Sequence, residues 1–377
     1  MGDSAKVQML KALINLLVED CVKEQVVKCG GLEALIAHLK SSTNDVVMYS
    51  SRALSLVCVM PQFAEQLCQR GGMNGLVNVL KQNPDATVLV EAVNAVGIVC
   101  DGSKSRQTLF NSIPGAMQSI SSILEIHVTF DLLLNVCHCV SKICSLNTDN
   151  QNSFSNSGGA LPIIYLINMK NKDIQLAAVD TIHVLVDGNP DTQRSFMEKD
   201  TVKPLICLLN KSKSQEVQEK AASSLWSLAG ENGDDKRRMA ATIGVDLLIG
   251  FLSSLSETLH FIASEGLGVL AQGAHNEQDS IAEANGIHPL VRLLKSNQEY
   301  IVLSAVRSIR HFCVGVGYLP HPSNQKTVAQ ARGIKLLLAL LSLSQSELIQ
   351  VEAALTLSYV ALGEMFRQCR SISVLCP

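Results

Sequence analysis

The sequence predicts an all-α solenoid of about eight three-helix repeats, preceded by one partial helix. A small-residue, apolar start recurs along the chain at intervals of 41, 43, 44, 42, 43, 42 and 47 residues. Within every interval one long helical pattern returns with the same apolar columns. The 377 residues are 47% hydrophobic but only 4% aromatic, so the core must be built from Leu, Ile, Val, Ala and Cys. That apolar content excludes a disordered chain. A period of this length signals stacked helical repeats rather than the two or three unrelated domains that length alone would suggest.

The starts are Gly31-Leu32-Glu33-Ala34-Leu35, Gly72-Met73-Asn74-Gly75-Leu76, Gly115-Ala116-Met117, Gly159-Ala160-Leu161-Pro162, Thr201-Val202-Lys203-Pro204, Gly244-Val245-Asp246-Leu247, Gly286-Ile287-His288-Pro289 and Gly333-Ile334-Lys335-Leu336. Each unit reads as three helices. The first is short, such as Asp279 to Ala284, and closes on Asn285-Gly286. Glycine there is expected to supply the left-handed residue that turns one helix into the next. The second helix, Pro289 to Leu294, tolerates Pro in its first turn because the missing N–H would be unpaired anyway. A polar turn then leads to a third helix from about Tyr300 to Cys313.

The third helix repeats most faithfully. Its first apolar residue is Val46, Val88, Leu132, Ile174, Val217, Leu259, Ile301 or Ile349. Eight residues on stand Leu54, Val96, Val140, Ile182, Leu225, Leu267, Ile309 and Leu357, and eleven on stand Val57, Val99, Ile143, Leu185, Leu228, Leu270, Phe312 and Val360. These spacings fall on one helical face. Leaving that stripe in water would forfeit roughly 1.5–3 kcal/mol per side chain. Twelve on comes a small residue: Cys58, Cys100, Cys144, Val186, Ala229, Ala271, Cys313 and Ala361. Four of the twelve cysteines therefore read as small hydrophobes at a close helix contact.

Charge and targeting patterns narrow the class further. The balance of 31 basic and 34 acidic residues, a net charge of −3, lacks the basic excess of a dedicated nucleic-acid binder. Residues 1–4 show no signal-peptide grammar. The longest apolar stretch, Ile334 to Leu343, is interrupted by Lys335 and Ser342 and falls far short of the roughly 20 residues that span a bilayer. Lys6 stands where a myristoylation pattern wants Ser or Thr, and the sequon Asn210-Lys211-Ser212 has no meaning without secretion. The cysteines form no C-x-x-C pair and no disulfide framework, so a reduced, intracellular protein is expected. The expected location is the cytoplasm, with nucleus and cilium as further compartments.

The string from Gly286 to Ser296, followed by Val302-Leu303-Ser304-Ala305, resembles the armadillo repeat, as does Val217 to Ala229. The resemblance runs over about residues 5 to 363 and rests on a phase held through eight copies. Residues 259–341 are similar at finer grain to the armadillo part of the ankyrin- and armadillo-repeat proteins, although no ankyrin-type T-P-L-H repeat is present. The resemblance implies a right-handed superhelix over residues 1–363 whose third helices line a concave groove. In peptide-binding members a Trp, and an Asn four residues later, project into that groove and clamp an extended peptide. The Trp positions here hold Arg52, Asn94, His138, Asp180, Ser223, Glu265, Arg307 and Leu355; the Asn positions hold Leu56, Ile98, Lys142, Val184, Ser227, Val269, His311 and Tyr359. The partial first helix adds Lys11 and Asn15. No Trp or Asn of the pattern is in place, and Trp226, one residue off register, reads as a packing residue. Importin-like capture of a nuclear localisation signal thus loses its backbone clamp. Beta-catenin-like binding of acidic tails lacks a basic row. A mixed lining predicts side-chain-specific recognition instead. The candidate groove residues are Arg52, Asn94, His138, Lys142, Asp180, Ser223, Ser227, Glu265, Arg307, His311 and Tyr359.

Signals for chemistry are weak. Cys137-His138-Cys139 with Cys144 is metal-like in composition, but C-x-C on a helix points its thiols to different faces, so no metal is expected. Gly266-Leu267-Gly268 and Gly315-Val316-Gly317 are fragments of phosphate-loop grammar without a preceding strand. No H-E-x-x-H, G-x-S-x-G or P-loop motif occurs, and no catalytic residue or cofactor is nominated. Lys236-Arg237-Arg238 reads as a solvated helix start.

The seventh unit is irregular. Its extra residues fall in Gly315 to Pro322, where a solenoid places a protruding loop. Loop lengthening costs little, so a tolerated insertion is one reading; a partner contact through Tyr318 and His321 is the other. The chain opens on what reads as an isolated third helix, and residues 364–377 leave the pattern as an expected disordered tail. Solenoids normally need polar caps at both ends, so the open start suggests a truncated or alternative product of a longer protein. The function expected is a non-enzymatic, monomeric scaffold binding protein or peptide partners along the groove, with no nucleic-acid partner and no membrane span. The alternative is a transport adapter recognising a charged signal peptide.

Overall fold

The computed structural model describes residues 2–126 and 129–373, with side chains as far as residue 362. The expected tail from residue 364 lies outside the described side chains, and residues 374–377 lie outside the described residues altogether. Helices dominate. The leading α1 (Asp3–Leu16) is followed by α2 (Asp20–Lys28), α3 (Gly31–His38) and α4 (Asn44–Val57), then by α5 (Pro61–Gln69), α6 (Gly72–Gln82) and α7 (Ala86–Cys100). The third repeat is α8 (Lys104–Ser112), α9 (Ala116–Ile126) and α10 (Phe130–Cys144); the fourth is α11 (Thr148–Asn156), α12 (Ala160–Leu166) and α13 (Lys172–Val186). The fifth is α14 (Pro190–Glu198), α15 (Val202–Lys211) and α16 (Gln215–Ala229); the sixth is α17 (Gly233–Ile243), α18 (Val245–Phe251) and α19 (Glu257–Ala271). The seventh is α20 (His275–Glu283), α21 (Ile287–Leu293) and α22 (Glu299–Cys313), and the eighth is α23 (Pro322–Gln330), α24 (Gly333–Leu343) and α25 (Glu347–Ser373). This is the expected α-solenoid of eight three-helix repeats after one partial helix. No helix among the described residues is long and apolar enough to cross a membrane.

The chain divides into two compact units, residues 1–220 and 221–377. In each, successive third helices pack side by side, as α4 on α7 and α7 on α10 in the first and α19 on α22 and α22 on α25 in the second. Small residues permit the approach. A Cβ built on Gly97 of α7 would lie 3.3 Å from the Cα of Cys139 on α10, and one on Gly268 of α19 would lie 3.1 Å from Cβ of Ser308 on α22. The glycines of Gly266-Leu267-Gly268 therefore serve helix packing; Gly266 faces Leu248 of α18.

The apolar columns are buried as the periodicity requires. Every residue of the column eleven positions into the third helix is buried, and in the column at position eight only Leu357, in the last copy, is half-exposed. Cys58, Cys100, Cys144 and Cys313 are buried among them. Burial pushes the Cys58 and Cys313 thiols up to about 12 and the Cys100 and Cys144 thiols well above the ordinary range. Third helices start on side-chain caps in several repeats: Asp85, Asn171 and Ser256 accept backbone N–H groups at the starts of α7, α13 and α19.

The glycine expected to supply left-handed backbone at the start of the seventh unit's second helix does not. Gly286 has φ −71°, whereas Asn285 before it has φ +61°. The left-handed position is Gly30, Gly71, Gly115, Gly158, Asp200, Gly244, Asn285 or Arg332 in the eight repeats. Where a second glycine follows, it is there for close approach. A Cβ on Gly286 would lie 2.7 Å from Cγ2 of Ile281, one on Gly333 2.6 Å from Cγ1 of Val328, and one on Gly159 would overlap the ring of Phe154.

Candidate binding surface

In the first unit the candidate residues occupy equivalent places on successive third helices. Arg52 on α4 and His138 on α10 are exposed; Asn94 on α7, Lys142 on α10 and Asp180 on α13 are half-buried. The charges are largely answered from within. Nη1 of Arg52 lies 3.8 Å from Oε1 of Glu91 on α7, and Nζ of Lys142 lies 3.3 Å from Oδ2 of Asp101 at the end of α7. Lys220 of α16 donates to the Asp180 carboxylate. In the leading helix, Nζ of Lys11 sits 5.1 Å from the centroid of the Tyr49 ring.

In the second unit Ser223 and Ser227 lie half-buried on α16, and Oε2 of Glu265 on α19 lies 3.9 Å from Nζ of Lys236 on α17. Lys236 also stands 5.9 Å from the centroid of the Trp226 ring, which is buried in packing. On α22, Nε of Arg307 donates to Oε1 of Glu352 at 2.9 Å, and Nη1 of Arg310 donates to its Oε2 at 2.5 Å. Glu352, on α25, is buried. His311 is half-buried, and desolvation, aided by the positive charges of Arg310 and Arg237, holds its imidazole down at about 4.

Loop and groove candidates are not separate in the second unit. Tyr318, 70% exposed, stacks on Tyr359 of α25 with centroids 6.1 Å apart and planes at 18°. The insertion is closed by an antiparallel bridge between Val314 and Pro320 and by a hydrogen bond of 2.8 Å from the Gly315 N–H to the Leu319 carbonyl. His321 is not presented as a contact. It is buried, its Nδ1 accepts the Asn324 N–H at the start of α23, and its Nε2 lies 3.1 Å from Oδ1 of Asp279. Its ring lies 5.5 Å from that of His275.

Two sets of residues escape the groove reading. Glu91, Lys220 and Glu352 each stand three residues before a Trp position and pair with the Trp position of the preceding repeat, namely Arg52, Asp180 and Arg307. Complementary charges at that offset were the available signal. The second set is a series of buried amides on the first helices. Gln107 donates to the Lys142 carbonyl at 2.8 Å, Gln151 to Val184 at 2.7 Å, Gln278 to Ala271, His311 and Val314 at 2.7–2.8 Å, and Gln325 to Tyr359 at 2.8 Å. The amides of Gln107, Gln151 and Gln278 satisfy carbonyls at the C-terminal ends of third helices, which the helix leaves unpaired, whereas Gln325 reaches Tyr359 within α25. Cys137, Cys139 and Cys144 are buried, with Cys137 and Cys139 pushed up to about 12 by desolvation. Among the described residues no group of three or more His, Cys, Asp and Glu is placed to hold a metal ion.

Comparison with known proteins agrees with the repeat architecture. The armadillo/beta-catenin-like repeat matches residues 321–362, which hold α23, α24 and the first part of α25. The ankyrin and armadillo repeat-containing protein of Mus musculus is 34% identical over 130 residues, covering 34% of this chain and 9% of that protein. The matched part therefore spans about a tenth of that relative's length. Importin subunit alpha-1b of Oryza sativa subsp. japonica is 22% identical over 208 residues, 54% of this chain and 38% of that protein. A crystal structure of an engineered protein matches with a TM-score of 0.70 at 20% identity over 96% of both chains, a likeness of fold. In the sequence of its eighth repeat and in its helix order from α1 to α25, the chain resembles the armadillo-repeat proteins.

Proposed function

We propose that the chain is a protein-interaction scaffold, not an enzyme, and that the polar face of its third helices takes protein partners or extended peptides. The observation that carries this reading is the recurrence of polar, accessible side chains at one register of consecutive helices: Arg52, Asn94, His138 and Asp180 in the first unit. A stack of such helices preorganises an extended surface, so a few side-chain anchors can supply affinity. The similarity to armadillo-repeat relatives supports it. The cytoplasm is the proposed location.

Partner capture from cell lysate tests the reading. Arg52→Glu with His138→Glu alters two exposed residues, so circular dichroism should show the fold unchanged. Partners lost from this variant place binding on the third-helix face. Partners retained by it sink the assignment of that face.

The transport-adapter reading draws on the likeness to importin subunit alpha-1b. A steep fall of peptide affinity with salt would favour it.

A further inference from the structure

The seventh-repeat insertion borders a cavity of about 470 Å³ whose walls include Arg310, His311, Val316, Tyr318 and Tyr359. Its electrostatics are one-sided. Arg307 and Arg310 share the single carboxylate of Glu352. Arg237 donates to the carbonyl of Gln272, another wall residue, at 2.7 Å. Two guanidiniums therefore share one carboxylate, a third reaches the wall at Gln272, and no acidic side chain lines the cavity itself. His311 adds a neutral imidazole and the two tyrosines add hydroxyls.

The insertion holds its wall in a costly conformation. Gly317 and Tyr318 are consecutive left-handed residues, at φ +67° and +61°. For Tyr318, unlike a glycine, that geometry crowds Cβ against the backbone. Such strain survives where surrounding structure over-determines it and gathers at functional sites. Here the Val314–Pro320 bridge fixes the loop stem and Tyr359 receives the ring. A tolerated surface insertion has no need of either.

We infer that this cavity binds an anionic side chain, carboxylate or phosphate, of an extended peptide, with an adjacent apolar residue lying against Val316 and the Tyr318–Tyr359 pair. The inference rests on the reading of the third helices as a peptide-binding face. The excess guanidinium charge receives the anion through Arg310, where charge-assisted hydrogen bonds are stronger than neutral ones. The stacked rings give the flanking apolar group a surface.

The test is fluorescence anisotropy on the full chain with a short dye-labelled peptide of alternating glutamate and leucine, its glutamine counterpart and its phosphoserine counterpart. The glutamate or the phosphoserine peptide should bind at least about tenfold more tightly than the glutamine peptide. Which of the two binds tells carboxylate from phosphate. Arg310→Gln and Tyr318→Ala should each weaken that binding about tenfold, and Arg310→Lys less. Should Arg310→Gln fail circular dichroism because Glu352 loses a partner, Tyr318→Ala, at an exposed residue, decides alone. No binding, equal binding of the glutamine peptide, or binding unchanged in Tyr318→Ala overturns the inference. If it is overturned while Arg52→Glu with His138→Glu still loses lysate partners, the scaffold reading stands without this cavity.

Discussion

Glu352 stands three residues ahead of the groove position Leu355 and receives Arg307 at 2.9 Å across two third helices. Arg52 with Glu91 and Asp180 with Lys220 repeat the relation. The three pairs should differ in energy because they differ in burial. Glu352→Ala leaves two guanidiniums without their buried carboxylate and should cost about 2–4 kcal/mol. Glu91→Ala beside the exposed Arg52 should cost about 0–1 kcal/mol. Urea unfolding of the two variants checks the contrast, and equal losses would refute it.

Gly159 and its neighbour Gly158 should fail for different reasons. A Cβ on Gly159 overlaps the ring of Phe154, so Gly159→Ala should cost about 1–3 kcal/mol through overpacking. Gly158 has φ +89°, so Gly158→Ala should cost about 1–2 kcal/mol through backbone strain alone. Leu146 presents the reverse case. It has φ +53° and is 85% exposed, so Leu146→Gly should raise stability by about 0.5–1 kcal/mol. Thermal melts of the three variants read all these signs.

Gln278→Leu removes a buried amide that reaches three carbonyls, at Ala271, His311 and Val314. Stranding those acceptors should cost about 2 kcal/mol despite near-equal side-chain volume. A melting temperature unchanged from wild type would show that water replaces the amide.

The stability of the second unit should fall as pH drops from about 6.5 towards 4. The folded-state imidazole of His311 is held at about 4, below the 6.5 of the free group, mainly by desolvation. Between those values the unfolded chain binds the extra proton, so its relative stability rises as pH falls. The native state keeps its full margin above pH 6.5 and loses about 2 kcal/mol by pH 4. His311→Gln should flatten that limb of the profile, and an unaltered slope would remove His311 as its source.

Much of this architecture was legible because helix packing writes itself in periodic apolar columns. Val88, Val96 and Val99 fix one face of α7, and the same spacing found every later third helix. Cys58, Cys100, Cys144 and Cys313 declared themselves by sharing a column with Ala and Val. The reason for Gly286 was hidden, because a sequence shows which residue lacks a Cβ but not whether φ or a neighbour such as Ile281 demands it. Glu352 was missed because its partner lies 45 residues away, one repeat back, and only a comparison between repeats shows the pairing. His321 was read as a partner contact because it falls in the Gly- and Pro-rich insertion, whereas its ring is held inward by Asn324 and Asp279.

Gln278 belongs to no single repeat. Its amide bonds a carbonyl at the end of α19 in the sixth repeat and one at the end of α22 in its own, so fraying of either end loses a bond to the side chain that also holds the other. Gln325 likewise joins the end of α22 to the body of α25, through Cys313 and Tyr359. A stack held only by apolar faces would open one repeat at a time, each with its own free energy. These cross-braces couple the opening of a repeat to the third helix of its neighbour. Amide hydrogen exchange at the ends of α19 and α22 should therefore report one shared opening event rather than two.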